Sequence, residues 1–172
     1  MVMPAVADLA TMTSCAIIGC GNPNRCDDGV AARVLHLLHG AIVEHGRVRL
    51  LDAGTDGMRV MFAARGCTAL IIIDACRSGS EVGAIFEVPG AELAQPPPDS
   101  FNLHDLRWDH ALHAGRRIFA DDFPAEVTVF LIEAGRVEYG TEFSPAVAAA
   151  AERVAAIIAD RVRAKYPVKE PA

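Results

Sequence analysis

The chain has 172 residues, 16 Lys plus Arg against 22 Asp plus Glu for a formal charge of -6, and 52% hydrophobic residues. That length and apolar content fit one globular domain burying about two-thirds of its unfolded surface, and they exclude a disordered body. With only 6% aromatics and no Lys/Arg run the chain lacks the basic footprint and stacking platforms of a nucleic-acid binder, and no apolar run approaches the ~20 residues that span a bilayer. Neither nucleic acid nor membrane is expected as a partner. Residues 1–11 carry no basic segment or cleavage pattern, so they read as an extension without a secretory signal. A single domain is expected over 12–167, with 168–172 as a frayed tail. The five cysteines are odd in number and include no C-x-x-C pair, which indicates reduced thiols and a cytoplasmic setting.

Ser14 to Ile18 is a short apolar run leading into the turn-rich Gly19-Cys20-Gly21-Asn22-Pro23-Asn24-Arg25-Cys26; a buried strand feeding a tight loop follows. Asp27-Asp28-Gly29 then precede Val30, Ala31, Val34, Leu35 and Leu38 at helical spacing. This predicts a helix from about Asp28 to His39, closed by Gly40, with acids capping its first N–H groups. Val48 to Leu51 is a second strand, ending in Asp52-Ala53-Gly54-Thr55-Asp56-Gly57 before a short helix from Met58 to Ala64. The β-branched Ala69 to Ile73 is the natural central strand, and it stops at Asp74. Gly83 to Val88 suggests a fourth strand, and Pro89 to Ser100, with three consecutive prolines, is expected to be irregular. His104-Asp105 open a helix that places Trp108, Ala111, Leu112, Gly115 and Phe119 on one face, with His110 and Arg117 away from it. Val127 to Ile132 is the fifth strand; Ser144-Pro145 then start a last helix whose stripe is Val147, Ala151, Val154, Ile158 and Val162. The alternation predicts a three-layer α/β/α sandwich, phosphorylase/hydrolase-like, with a mostly parallel five-stranded twisted sheet and helices on both faces.

In such a sheet, ligands bind outside the carboxyl ends of the strands, and Asp28, Asp52 and Asp74 all follow strands there. His104 reaches the same rim if its helix runs antiparallel to the neighbouring strands. Two carboxylates and an imidazole would suit a borderline divalent ion such as nickel or zinc. Plainer readings stand beside this one. Asp28 is equally a helix cap, Asp27 a cap or an acceptor for loop backbone, and Asp52 and Asp56 holders of their own turn. An acid ending the most buried strand is costly without a partner, which favours a functional Asp74. His104 taken alone is an ordinary helix N-terminal residue. His36 with His39, and His110 with His113, read as solvated surface pairs. Gly19-x-Gly21 lacks the third glycine of a dinucleotide fingerprint and delivers acids where a pyrophosphate needs positive potential. There is no G-x-S-x-G elbow, and Cys20 and Cys26 have no basic partner nearby in sequence, so serine or cysteine nucleophiles are not expected.

From Met12 to about Val162 the chain resembles the hydrogenase maturation endopeptidases. Gly19-Cys20-Gly21-Asn22 with Asp27-Asp28-Gly29 is similar to the family's G-x-G-N…D-[DE]-G, and Asp52-Ala53-Gly54-Thr55-Asp56-Gly57 to its D-G-G-T-x-G. Ile73-Asp74-Ala75 followed by Gly83, His104, and Gly140-Thr141-Glu142-Phe143-Ser144-Pro145 continue the pattern in order. Ala31 and Ala53 replace usual glycines, Ile132-Glu133-Ala134-Gly135 lacks the Gln-Pro expected after the fifth strand, and Phe101-Asn102-Leu103 lacks the usual serine.

The resemblance implies that Asp28, Asp74 and His104 form the catalytic and metal-contacting triad, with Asp27 and Asp52 behind them. It further implies an aspartyl-type endopeptidase that removes the C-terminal extension of a nickel-iron hydrogenase large-subunit precursor. On this reading the protein has no intrinsic cofactor. The metal is the nickel already loaded in the substrate, a place that zinc or cadmium can also take, and recognition should weaken on acidification. Two chemistries stay open for the cleavage, a carboxylate acting as general base on water and a metal polarising the carbonyl. The alternative is a non-catalytic, metal-dependent binding protein or chaperone for the same precursor.

Overall fold

The computed structural model describes residues 15–42, 47–96 and 106–167. The sequence expectations for 1–11, for 168–172 and for the helix opening at His104-Asp105 fall outside the described residues. Five strands, β1 (Cys15–Cys20), β2 (Val48–Gly54), β3 (Ala69–Cys76), β4 (Ile85–Pro89) and β5 (Glu126–Glu133), form one sheet in the order β2-β1-β3-β5-β4. All neighbours are parallel except β4, which runs antiparallel to β5 at the edge.

Alternation along the strands builds the two cores. Ile17, Ile71, Ile73, Phe130 and Ile132 face helices α1 (Val30–Ala41) and α5 (Pro145–Lys165), whose Val34, Leu38, Val154 and Ile158 are buried with them. Ile18, Leu70, Ile72 and Val129 face the other way, toward α2 (Gly57–Ala64) and α4 (Trp108–Phe119), meeting Val60, Met61, Ala111 and Leu112. This is the three-layer sandwich expected from the sequence. β3 is buried on both faces along Ala69 to Ile73, so its run is continuously apolar and no alternation shows.

Several boundaries differ from the sequence reading. The acids 27 and 28 lie in a 3-10 turn over Cys26–Gly29, and α1 starts only at Val30, with Gly29 at its N-cap and no side-chain cap. Both carboxylates are bound elsewhere. Nor does Gly40 close α1: the helix continues to Ala41 and ends where Ile42, extended and buried, joins the core beside Leu38. Pro89 is the last residue of β4 rather than the start of an irregular stretch, and one helical turn, α3 (Gly90–Leu93), follows it. A proline is tolerated there because β4 pairs on one side only. The helix after the long connection, α4, begins at Trp108, preceded by the extended Arg107.

Gly57 fixes how that connection returns to the sheet. Its N–H donates to the Leu106 carbonyl at 2.8 Å, and a Cβ on it would lie 2.1 Å from that same oxygen and 2.7 Å from Arg107 carbonyl atoms. Only a residue without a side chain lets the backbone before α4 rest on the start of α2. Gly57→Ala is expected to force the two apart and to destabilise the fold by about 1–3 kcal/mol, read as a lowered urea midpoint with an unchanged slope.

Candidate active site

The loop from β1 into the 3-10 turn passes directly under the end of β3. Gly21 has φ +122°, and a Cβ there would lie 2.1 Å from the Asp28 carbonyl oxygen and 3.5 Å from Asp74 Oδ1. Glycine is required twice, by the backbone conformation and by the space. Asp28 closes its loop by accepting the Asn22 N–H on Oδ2 at 2.9 Å. Asp74 ends the buried part of β3 and is 8% exposed. Its Oδ1 accepts the Ala75 N–H at 2.8 Å and its Oδ2 the Trp108 indole N–H at 2.6 Å. Burial pushes its pKa up to about 6; the Trp108 and Ala75 hydrogen bonds and the Arg107 charge oppose that shift, while the charge of Asp28 adds to it.

Asp28 and Asp74 line one cavity of about 700 Å³ at the carboxyl edge of the sheet, with Arg25, Arg77, Arg107 and Trp108 also in its wall. Of the three residues expected to meet, Asp28 and Asp74 line the same cavity, and His104 lies outside the described residues. Among the described residues no group of three His, Cys, Asp or Glu side chains is placed to hold a metal. The two carboxylates supply oxygen donors fit for a divalent ion that brings, or finds, its remaining ligands elsewhere.

Asp27 has no exposure and faces away from the cavity. It accepts from Ser144 N and Oγ at 2.7 Å each, from Gly135 N at 2.9 Å and from Arg136 N at 2.8 Å. Burial alone would raise its pKa, but these donors, led by the Ser144 amide, outweigh it and hold the carboxyl below its ordinary value. It therefore straps the acid-bearing turn to the connection between β5 and α5. Asp52 was expected behind Asp28, Asp74 and His104. It is exposed, lies outside the cavity wall and accepts the Gly54 N–H at 2.9 Å, holding its own turn. Asp56 is the N-cap of α2, accepting from Arg59 N at 3.1 Å.

His36 and His39 are exposed, whereas His110 and His113 are half-buried on α4 rather than solvated. Cys20 lines the cavity, but burial first, then the charges of Asp74 and Asp52, push its thiol well above the ordinary value, leaving a poor nucleophile. Cys26 does have a basic neighbour: Arg136 Nη2 lies 3.6 Å from its sulfur, brought there across 110 residues of chain.

Two contributors were not singled out by the sequence. Trp108 belongs to the apolar face of α4, and its indole N–H also holds Asp74. Glu133 is a carboxylate only 3% exposed at the end of β5. It accepts from Ser78 N at 2.9 Å, Ser78 Oγ at 2.8 Å, Gly79 N at 2.9 Å and Cys76 Sγ at 3.3 Å. Its signal in sequence is the one that marks Asp74, an acid ending a buried strand.

A family model for hydrogenase maturation proteases matches residues 32–161. The chain belongs to that family. It is a peptidase of hydrogenase maturation, and a binding-only role is not favoured. In structure the chain is similar to the hydrogenase maturating endopeptidase HybD from E. coli, at a TM-score of 0.76 and 23% identity over 90% of this chain and 94% of that one. It is also similar to the NiFe hydrogenase maturation protease HycI from Thermococcus kodakarensis KOD1, at 0.68 and 20% over 88% and 93%. A hydrogenase 2 maturation peptidase from Thaumarchaeota archaeon SCGC_AB-539-E09 matches at 0.63 and 21% over 87% and 98%. At these identities the likeness shows the fold. No curated protein sequence matches the chain. Among the described residues no helix is long and apolar enough to cross a membrane.

Two stability predictions follow from the buried acids. Asp27→Ala strands Ser144, Gly135 and Arg136 donors without an acceptor, so a loss of about 2–4 kcal/mol is expected in denaturant unfolding. For Glu133, the Ser78 amide and hydroxyl foremost hold the carboxyl down from 4.5 to about 2. A folded pKa below the unfolded one stabilises above the unfolded value, and that stabilisation is lost as pH falls through the folded value. The wild type should lose stability between about pH 4.5 and pH 2, whereas Glu133→Gln should be weaker at neutral pH and flatter across that window, as read by thermal melts over a pH series.

Proposed function

We propose that this chain removes the C-terminal extension of a nickel-loaded nickel-iron hydrogenase large-subunit precursor, with Asp28 and Asp74 contacting the metal carried by the substrate. The observation that carries this reading is that Asp28 and Asp74 line one cavity at the carboxyl edge of the sheet, in a chain of the maturation protease family. His104 completes the set on the strength of the family resemblance. The nickel is part of the substrate, so the protein needs no resident ion. The peptidase is aspartyl-type in the sense that its acids are the groups presented to the reacting segment.

Trp108 and Ala75 fix the Asp74 carboxylate by one hydrogen bond to each oxygen, leaving further acceptor capacity on both oxygens for a ligand. Asn22 does the same for one oxygen of Asp28. Preorganised acids of this kind can hold a cation, or take a proton from a water aimed at a carbonyl. The five cysteines are free, which suits a reducing, cytoplasmic site of action.

Asp28→Asn, Asp74→Asn and His104→Ala should each keep the fold by circular dichroism and slow conversion of purified nickel-loaded precursor more than ~100-fold. That exceeds the ~10–100-fold typical of residues that act only through a ligand. Asp52→Ala, altering an exposed turn, should process close to wild type. The measurement is the mobility shift of the large subunit on a denaturing gel. Unimpaired processing by the folded Asp74→Asn variant would overturn the assignment.

A further inference from the structure

Three arginines line the acidic cavity, Arg25, Arg77 and Arg107. Two are engaged. Arg25 Nε donates to the Val137 carbonyl at 2.9 Å and its guanidinium lies 5.8 Å from the centre of the Tyr139 ring. Arg107 Nε lies 3.8 Å from Asp109 Oδ1, and its charge reaches Asp74. Arg77 differs: it is exposed, and among the described residues its side chain has no hydrogen bond, ion pair or ring contact.

The backbone on both sides of this unpartnered side chain is held. The Cys76 carbonyl accepts the Ala134 N–H at 2.9 Å. The buried Glu133 carboxylate takes the N–H groups of both Ser78 and Gly79, together with the Ser78 hydroxyl and the Cys76 thiol. A buried carboxylate thus commits both oxygens to residues 76, 78 and 79, while residue 77 is presented to the cavity. Fixing a loop in this way lowers the ordering cost when its side chain binds. An arginine with all five donors available matches a planar carboxylate in two-pronged fashion. Asp74 and Arg77 are three residues apart, so their Cα atoms are separated by no more than about 11 Å. Both residues line the same cavity, so a segment bound in it can reach Arg77 as well as Asp74.

We propose that Arg77 is a specificity-determining residue that binds a carboxylate of the precursor's C-terminal segment, and that Glu133 positions it. The carboxylate belongs either to an acidic side chain or to the chain terminus. The proposal rests on the reading of the cavity as the precursor-processing site. The cavity then discriminates by charge at two places, with its acids facing the metal and Arg77 facing an anion beside it.

The test is steady-state processing of nickel-loaded precursor by wild type, Arg77→Gln, Arg77→Lys, Glu133→Gln and the Arg77→Gln/Glu133→Gln double variant, with Asp74→Asn as control. Losing one charge-assisted pair should raise KM for Arg77→Gln about 10–100-fold with kcat changed far less. Arg77→Lys should recover part of the loss. Glu133→Gln should raise KM in the wild-type background and add nothing to Arg77→Gln, as a residue acting only through Arg77 must.

Two altered precursors identify the anion. One has the acids of its C-terminal segment changed to their amides, and the other is made semisynthetically with an amidated terminus. The precursor lacking the bound carboxylate should raise the wild-type KM and abolish the difference between wild type and Arg77→Gln. An Arg77→Gln variant with wild-type KM, or one whose defect persists on both altered precursors, overturns the proposal. If Asp74→Asn is inactive in the same experiment, the processing reading survives that result. A wild type that neither binds nor cleaves the loaded precursor removes both.

Discussion

The geometry of the carboxyl edge hangs on the unexposed carboxylate of Asp27. An ionised acid with no water must find donors inside the protein, because its desolvation otherwise costs more than most single contacts return. Asp27 finds them in the backbone of Gly135 and Arg136 and in both polar groups of Ser144, more than a hundred residues away. The connection from β5 to α5 and the turn after β1 become one piece. Asp28 is the next residue, so its position relative to β3 is set by a bond network that it does not itself join. The crowding at Gly21 completes the constraint: with the turn strapped down, the Asp28 carbonyl closes over the loop and the Asp74 carboxylate stands beside it.

Three buried acids at this edge divide into two kinds. Asp27 and Glu133 are both surrounded by amides and hydroxyls, and both are held below their ordinary pKa values. They are structural anions, comfortable when charged. Asp74 is buried too, yet it has one amide and one indole, and burial pushes it up to about 6. A fold able to satisfy two carboxylates nearby leaves a third under-satisfied and open to a cavity. That contrast is the usual mark of a group kept for a ligand or a proton rather than for stability.

What the sequence reveals and what it hides separates along the same line. The strands, the stripe of α5 and the acids at strand ends are visible because local periodicity and strand termination are local facts. Asp28 and Asp74 could be nominated on those grounds. The partners of Asp27 and Glu133 could not, since Gly135 and Ser144, or Ser78 and Gly79, are joined to them only by the sheet order. The same blindness applies to Cys26, whose Arg136 neighbour is remote in sequence, and to the start of α1. Asp27-Asp28 looks like a helix cap until the structure shows both side chains engaged elsewhere. Asp52, an acid at the same strand edge, accepts its own Gly54 amide and lies outside the cavity wall, and strand termination alone does not separate it from Asp74.

The two sides of the cavity are supported by different layers of the sandwich. Asp28, its strap and the 3-10 turn belong with α1 and α5, while Arg107 and Trp108 arrive with α4, seated on α2 through the contact between Gly57 and Leu106. Asp74 stands between them on β3, touched by the indole from one layer and crowded by the turn from the other. On the proposed function, a substrate segment entering there would meet Asp28 held by one layer and Arg107 held by the other, with Asp74 between them. Distortion of either helical layer is therefore felt at Asp74, even by substitutions that line no part of the cavity. The cost of a misplacement of about 1 Å at such a centre is set by the need to aim a reacting group, a far stricter requirement than burial. On the proposed function, packing at Gly57 and hydrogen bonding at Asp27 would serve activity through geometry, and their effects on processing would exceed what their stability losses alone produce.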